Sequence, residues 1–504
     1  MDGKNTTRIV ETLGTEAELR QKFPDKEPLQ VAQERLQELN LLEKAGRYVS
    51  MPRFSNARRI PKGQQFSYQG GYLFLQKIFH SLKLDKICRE IAARHSFDFD
   101  LSDILSRLLY TRILSPGSKL SSYEDAKDFL EAPGFALHDI YRALSVLAEE
   151  NDFIQASVYK YSKKLTQRND KILFYDCTNY FFEIEAEDGM RMFSKSKENR
   201  PNPVVQMGLF LDASGFPLAF TINPGNTGKQ VTMRPLEKKI LRDFQLSKFI
   251  VCTDAGLSST DNRKFNNRQE RAFVTTQSLK KIKGHLREWA LDPTGWSLGD
   301  SHNTYDLRLI KEDDPEEYNR VYYKRRPILE DGLEQDLIVT FSLKYRFYLQ
   351  HLRGRQEEES FDGYYAVCTN LDAHPLEIIA INKQRWLIEA AFRTLKSEFK
   401  ARPVYVQRKD RILAHFMTCF LALLIYKILK QKVDGVLTGN TPSGIELVEQ
   451  LRQMNFFKIS GEGYIPTYTR NNLTDALHEA FGFRTDYEIL SPMDMRKILA
   501  QTKK

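Results

Sequence analysis

The segment INKQRWLIEAAFRTLKSEFK, residues 381–400, constrains this chain most, because its pattern fits one amphipathic helix. At 100° per residue the apolar side chains share one broad face. The opposite face is a stripe roughly 80° wide, mostly cationic, with one carboxylate in its middle. Helix-spaced ion pairs on a solvated face are the ordinary interpretation, and each contributes a few tenths of a kcal/mol. The stripe consists of Asn382, Arg385, Glu389, Arg393, Lys396 and Lys400.

Two strand-like segments upstream each end in an aspartate. KILFYDCTNYFFEIE (171–185) is a dense aromatic and aliphatic run that carries Asp176, and FIVCTDAGLSS (249–259) carries Asp254. A carboxylate in such a run is costly unless a cation pairs with it. We therefore rank these two aspartates above the neighbouring acids, which follow the first strand or lie in a turn: Glu183, Glu185, Asp188 and Asp212.

The composition favours a polyanionic partner and predicts a soluble protein in a reducing compartment. Lys and Arg total 75 against 66 Asp and Glu, a net charge of +9, which points to nucleic acid first. Five widely spaced cysteines without CxxC pairs predict buried thiols and no zinc site. The apolar run FMTCFLALLIY (416–426) is shorter than the ~20 residues of a membrane span, so we expect a core helix and a cytoplasmic protein without a membrane.

The spacing of Arg385, Glu389 and Lys396 resembles part of a known family signature. It is similar to the Arg-Glu-Lys part of the Tyr-Arg-Glu-Lys signature of bacterial insertion-sequence transposases of the DDE type, in the branch of insertion sequence four. The position of the family's Tyr is occupied by Asn382, a departure from the pattern. Two further segments resemble the same family, Ser-Lys-Glu-Asn-Arg-Pro (196–201) and Pro-Gly-Asn (224–226).

The order of predicted elements is strand, strand, strand, helix, strand between 171 and 276, which is that of the ribonuclease H-like fold. The fold class predicted is therefore α/β, with a ribonuclease H-like catalytic domain, a β-rich insertion and a preceding all-helical module. The predicted regions are a polar arm and linker (1–63), a helical, DNA-binding module (64–165), the first part of the catalytic domain (166–276), a separate β-rich insertion (277–375), the second part of the catalytic domain (376–430) and a C-terminal helical region (431–504).

The resemblance implies a site for two Mg²⁺ ions, for which Mn²⁺ can substitute. Asp176 would bridge both ions, and Asp254 and Glu389 would each hold one, since Mg²⁺ prefers oxygen ligands. Two such ions activate the attacking oxygen and stabilise the leaving one. Water would first release a 3′-hydroxyl at the element end, and that hydroxyl would then attack DNA. The side chains implied to bind DNA phosphates are Arg385, Lys396, Arg393 and Lys400.

The implied partner is double-stranded DNA, namely the terminal inverted repeats of the element and its target. Residues 381–411 carry nine cations against three acids, which favours a phosphate track over a merely solvated surface. Trp289 and Trp296 are candidates for stacking on an extruded base, although a place in the core of the insertion is the more ordinary interpretation of each. A homodimer that pairs two ends, in the bacterial cytoplasm and at the nucleoid, is also implied.

Two rival functions remain open. One is a ribonuclease H-like nuclease that cuts DNA without joining it, against which the basic arm at 51–63 and the long insertion argue. The other is a catalytically silent, transposase-derived DNA-binding protein. Acids at all three catalytic positions argue against it.

Overall fold

The computed structural model describes residues 9, 11–46, 57, 59–194, 201–268, 270–301, 303–353, 360–437, 439 and 441–504. Most of the basic arm predicted at 51–63, and the family-like loop at 196–201 apart from its proline, lie outside these residues. The described α-helices are α1 (Glu16–Lys22), α2 (Pro28–Gly46), α3 (Tyr72–Ser81), α4 (Leu84–Ala92), α5 (Leu101–Leu114), α6 (Lys119–Ala126), α7 (Leu137–Glu149), α8 (Asn151–Leu165), α9 (Lys229–Asp243), α10 (Thr260–Phe265), α11 (Gly284–Leu291), α12 (Pro315–Asn319), α13 (Leu343–Arg353), α14 (Pro375–Lys383), α15 (Trp386–Arg393), α16 (Lys409–Asp434), α17 (Gly444–Gln453), α18 (Asn472–Phe481) and α19 (Pro492–Thr502). The described strands are β1 (Ser67–Gln69), β2 (Ile172–Phe181), β3 (Val204–Asp212), β4 (Pro217–Pro224), β5 (Ile250–Thr253), β6 (Ala272–Gln277), β7 (Ser297–Leu298), β8 (Tyr322–Glu330), β9 (Leu333–Phe341), β10 (Tyr364–Thr369), β11 (Asn455–Ile459) and β12 (Gly463–Pro466).

A nine-stranded mixed sheet organises the molecule, in the order β4-β3-β2-β5-β6-β10-β9-β8-β7. β3 runs antiparallel to β2 and β4, whereas β5 runs parallel to β2 and to β6. The helix α9 provides the crossover between β4 and β5, as a parallel connection requires. The predicted mixed α/β architecture is confirmed.

The β-rich insertion is not separate from this sheet, contrary to the sequence-based prediction. β10 pairs antiparallel with β6 on one side and with β9 on the other, so the strands of the insertion continue the nine-stranded sheet. The physical reason lies in β10 itself, whose last four residues, Ala366–Thr369, are buried on both faces. A strand of that kind belongs inside a sheet rather than at its edge.

The helices that precede the sheet share their core with the end of the chain. α3, α5 and α7 pack on α16, and the buried apolar side chains of all four belong to one cluster. β1 also pairs with β11, near the C-terminus. The role of this helical region in DNA recognition stays a prediction.

The helix α16 is long and apolar enough to cross a membrane by length and composition, but 89% of its most apolar window is buried inside the protein. This burial agrees with the predicted core helix. All five cysteines are free and buried, as their spacing predicted.

Candidate active site

Asp176 and Asp254 lie on neighbouring parallel strands at the same height. β2 and β5 pair residue for residue from Ile172 opposite Ile250 to Phe174 opposite Cys252. The register, extended by two residues, brings Asp176 next to Asp254, which directly follows β5, and the charge of Asp254 acts on Asp176. Because side chains alternate across a sheet, both aspartates share a face with the pair two residues before them.

That face is the one covered by α14 and α15. Phe174 and Cys252 belong to the core cluster that includes Ile388 and Phe392 of α15, whereas Tyr175 faces α9 on the other side. The two aspartates are thus directed towards the helix that carries Glu389. The prediction that Asp176 ends its strand is wrong, because β2 continues to Phe181 through its pairing with β3, whereas Asp254 does follow the last residue of β5.

The electrostatic environment of Asp176 is that of a crowded anionic site. Burial raises the pKa of Asp176, and the nearby charge of Asp254 raises it further. Three favourable interactions act in the opposite direction: a hydrogen bond from the backbone N–H of Cys177 at 2.7 Å, and the charges of Lys229 and Arg385. Burial and the charge of Asp254 together therefore outweigh the three interactions that lower the pKa of Asp176.

The predicted single helix 381–400 is broken in the structure. α14 ends at Lys383, α15 begins at Trp386, and the residues Thr394–Glu398 form a π-helical turn. Between the two helices, the N–H groups of Gln384 and Arg385 donate to carbonyls only three residues earlier. The turn at Gln384 and Arg385 is tighter than an α-helix, and the π-helical turn at Thr394–Glu398 is wider. Both depart from 100° per residue, so a single helical wheel does not place Lys396 relative to Glu389.

A buried polar network explains the break, because it ties Asn382 and Arg385 to three strands. Asn382 donates from Nδ2 to the Tyr365 hydroxyl at 2.8 Å, and its Oδ1 lies 3.7 Å from the Sγ of Cys252. Arg385 donates from Nη1 to the Thr276 Oγ1 at 3.1 Å, and that hydroxyl is 2.7 Å from the Tyr365 hydroxyl. Anchoring side chains to β5, β6 and β10 holds the Arg385 guanidinium beside Asp176.

Glu389 is exposed at the mouth of a groove of about 680 Å³, next to Arg385. Within the described part of the chain, no ion pair joins it to Arg385 or to Arg393. The ordinary interpretation of this carboxylate, a helix-spaced ion pair, therefore has no contact in its favour.

The three carboxylates are not gathered around one point. Among the described residues, only Asp475, His478 and Asp486 bring three potential ligand atoms within 4.8 Å of one another. The site of Asp176, Asp254 and Glu389 is wider than that.

The compact cluster near the C-terminus is a structural network, since arginines already neutralise its acids. Arg484 donates to Asp475 at 2.6 Å and to Asp486 at 2.5 Å. Burial lowers the pKa of His478 to about 4, so this ring is neutral at pH 7.

The predicted phosphate-binding cations lie in different surroundings. Arg393 and Lys400 are exposed, whereas the Lys396 ammonium lies 5.4 Å from the centre of the Tyr180 ring, near the end of β2. Lys229, at the start of α9, was not predicted, and its ammonium donates to the carbonyl of Cys177 at 3.4 Å. Its position directly after the Pro-Gly-Asn loop, at the first turn of a helix, was the only signal for it in the sequence.

The two tryptophans proposed for base stacking belong to the insertion. Trp296 is fully buried, and its indole N–H donates to the carbonyl of Asp292 at 2.8 Å, so it fills the core. Trp289 is half-buried, under the cations of Lys324 and Arg326. The remaining tryptophan, Trp386, is 61% exposed and lines the groove beside Glu389. Sequence analysis missed it because its position on the helix gave no sign of the groove.

A buried arginine from the helical region holds the end of the catalytic helix. Arg112 of α5 donates from Nη1 to the carbonyl of Phe399 at 3.1 Å and from Nη2 to the carbonyl of Gly117 at 3.0 Å. It satisfies carbonyl groups that the end of a helix leaves without partners. The region before the sheet thus positions the segment that carries Glu389.

Two acids from neighbouring strands, Asp176 within β2 and Asp254 just after β5, lie below a helix that carries a third carboxylate and an arginine, and together they define a site for polyanion chemistry. Residues 188–425 match the model of a family described as the transposase DDE domain, which supports a DDE-type transposase. The matched region contains Asp254, Arg385 and Glu389 and begins after Asp176.

A solved structure with an overall likeness is a cryo-EM structure of the piggyBac transposase synaptic complex with hairpin DNA. It is 9% identical, with a TM-score of 0.42, over 87% of this chain and 88% of that chain. Among curated proteins, no significant match was found.

Proposed function

We propose that this protein is the transposase of an insertion sequence, of the cut-and-paste type, with a ribonuclease H-like catalytic domain. It binds the terminal inverted repeats of the element as a dimer, cleaves the DNA strand and joins the 3′ end to target DNA. The family match to the transposase DDE domain supports the class. The observation that carries the chemistry is the placement of Asp176 opposite Asp254, with Arg385 beside them.

The donor set fits divalent cations. The raised pKa of Asp176 reflects burial and repulsion from Asp254, and a divalent cation between the carboxylates removes that repulsion. Asp176 and Asp254 would hold Mg²⁺ together with Glu389, whose side chain is exposed towards the groove. When bound, such ions supply Lewis-acid stabilisation of the attacking and leaving oxygens at phosphorus.

The cations of the chain orient the DNA strand at this site. Arg385 is fixed by Thr276, so its guanidinium is available in one orientation for a phosphate oxygen. Lys229 approaches the site from the amino end of α9. Both side chains would bind the phosphates next to the one that reacts, and position it against the carboxylates.

The decisive experiment is a cleavage and joining assay with purified protein and DNA that carries the sequences flanking its coding region. We expect single-strand cleavage at the element ends in Mg²⁺ or Mn²⁺, and joining of pre-cut 3′ ends to a plasmid. Cleavage without joining would instead identify a nuclease. Specific binding without either reaction in both metals would identify a silent DNA-binding protein.

The variant Arg385→Ala should lower cleavage and weaken the salt dependence of DNA binding. Loss of one phosphate contact lowers the slope of log K against log salt by about one unit. The slope is measured by titration at several salt concentrations. Arg496→Ala, an exposed cation of α19 outside the track at 381–411, is the control and should keep full activity. An Arg385→Ala protein with the parental slope and rate would contradict this role.

We assign stacking on an extruded base to Trp386 rather than to the two tryptophans of the insertion. It lies at the rim of the groove with Tyr345 and Tyr348, and a base stacked on such a ring gains about 1–3 kcal/mol. Trp386→Ala should slow the step that needs extrusion by about 5- to 100-fold, and Trp386→Phe should retain most of the rate. An abasic site at the extruded position should make the two variants equal. A Trp386→Ala rate equal to the parental rate on intact DNA would rule the stacking out.

A further inference from the structure

A basic groove of about 620 Å³ lies between α9 and α10, apart from the track at 381–411. Arg234 and Lys238 lie four residues apart on α9, and Lys264 and Arg268 lie four residues apart at the end of α10 and just after it. The single acid, Asp261, lies 3.5 Å from Arg234. No carboxylate of the described residues pairs with the other three cations. The groove thus carries a net positive charge without an internal partner for most of it.

Hydrogen bonds hold the two walls of the groove at a fixed spacing. The Asn266 amide donates to the buried Glu237 carboxylate at 2.8 Å, which ties α10 to α9. The Asn262 amide donates to the carbonyls of Gln230 at 2.9 Å and of Leu257 at 3.0 Å. Leu257 ends the 3₁₀ turn that follows Asp254. The basic groove is therefore connected rigidly to the turn that carries one catalytic carboxylate.

The position of the groove determines which DNA it can serve. α9 covers the face of the sheet opposite to α15, so the groove and α15 lie on different sides of the sheet, and the 3₁₀ turn after Asp254 connects the groove to the site. A duplex whose phosphate lies at the aspartates extends in both directions from that phosphate. If one arm follows the track at 381–411, the other arm leaves on the side of the groove.

We propose that the basic groove, defined by Arg234, Lys238, Lys264 and Arg268, binds the DNA on the non-element side of the reacting phosphate. That DNA is the flanking donor duplex during cleavage and the target duplex during joining, since both place their phosphate at the same carboxylates. Four residues along a helix span about 6 Å, and successive phosphates of one strand advance about 3.4 Å along the axis. The pair on α9, Arg234 and Lys238, therefore covers about two phosphates. This inference rests on the proposed function.

The test compares a triple variant, K238Q/K264Q/R268Q, with the parent on DNA that does or does not extend past the element end. Without flanking DNA, binding of the ends should stay within about twofold. With about 15 base pairs of flank, the salt slope of binding should fall by about three units, one for each lost contact. Cleavage of flanked ends and joining of pre-cut ends to a plasmid give separate readings for donor and target DNA. A lower rate of cleavage of flanked ends or of joining to the plasmid, with unchanged binding of flank-free ends, supports the proposed role of the groove.

The control variant, R496Q/K497Q/K504Q, removes two exposed cations of α19 and the exposed Lys504 just after it, and changes the net charge equally. It should behave as the parent does. If the groove variant lost as much affinity for flank-free ends as for flanked ends, the groove would bind the element itself. If the variant lost neither affinity for flanked DNA nor joining to target DNA, the groove would not bind DNA on the non-element side. Either result would overturn the inference. Binding is measured without metal, so a parent that binds flanked DNA through the groove but never cleaves would contradict the proposed function alone.

Discussion

Asp176→Asn should abolish cleavage and joining while making the metal-free protein more stable. In the folded protein the pKa of Asp176 is raised by burial and by the charge of Asp254, so folding favours its protonated form. The stability that this group contributes is present below the unfolded-state pKa of about 4 and is lost as the pH rises through the raised folded pKa. The amide of the variant carries no charge, so at pH 7 the variant is not destabilised by a buried carboxylate next to Asp254.

Thermal unfolding of both proteins, with and without Mg²⁺, tests this expectation. Without metal, the variant should unfold about 1–3 °C higher at pH 7, and the difference should disappear towards pH 4. Added Mg²⁺ should raise the unfolding temperature of the parent and leave the variant unchanged, because ligand binding stabilises only a protein that binds it. A variant that is less stable than the parent at pH 7, or that still cleaves in Mg²⁺, would contradict the assignment.

A second buried carboxyl provides the matched control. Burial raises the pKa of Glu237 to about 7, but this side chain lies between α9 and α10 rather than at the two aspartates. Glu237→Gln keeps an acceptor oxygen for the Asn266 amide and should therefore retain the parental response to Mg²⁺. Loss of the Mg²⁺ response in this variant would show that the response does not report on the site at Asp176.

Glu389→Gln should lose nearly all cleavage and joining, and keep its stability and its affinity for element ends. The substitution keeps the size of the side chain and the helix but removes the anionic oxygen that binds a metal ion. Loss of one charge-stabilising group at a reacting centre lowers kcat by about 10²-fold or more. Because Glu389 is exposed and forms no ion pair with Arg385 or Arg393, no structural contact is lost. Joining of pre-cut ends separates this effect from end recognition.

Glu377→Gln is the control for that experiment, since it makes the same chemical change at an exposed position of the preceding helix α14. It should cleave and join as the parent does. If Glu389→Gln joined pre-cut ends at the parental rate, the carboxylate would have no role as a metal ligand, and the mechanism proposed here would have to be abandoned.

The placement of the two aspartates was predictable because strand pairing is regular. Asp176 and Asp254 each follow apolar residues whose pattern indicates a buried strand, and parallel strands bring such residues together. The core helix α16 and the buried thiols were likewise readable from composition. These predictions depend on the local pattern of apolar residues, which the sequence gives directly and which indicates burial.

The details of the covering helix were not predictable, since they depend on contacts between distant segments. Thr276 and Tyr365 fix Arg385 and Asn382, yet neither carries a local sign of that role. Their hydroxyls come from strands about 90 residues apart in the chain. These two strands, β6 and β10, also pair with each other and so join the insertion to the sheet. The residue pattern of neither segment specifies that pairing.

The pairing of β6 with β10 has a consequence for how the protein resists aggregation. If residues 277–375 were removed, β6 would become a free edge, with unpaired backbone groups along an apolar strand. Such an edge is a template for association with another chain. At the far end of the sheet, the edge strand β7 is only two residues long, too short to recruit a partner strand. The insertion thus covers the edge of β6. Proteins that lack residues 277–375 should therefore aggregate and precipitate rather than stay in solution.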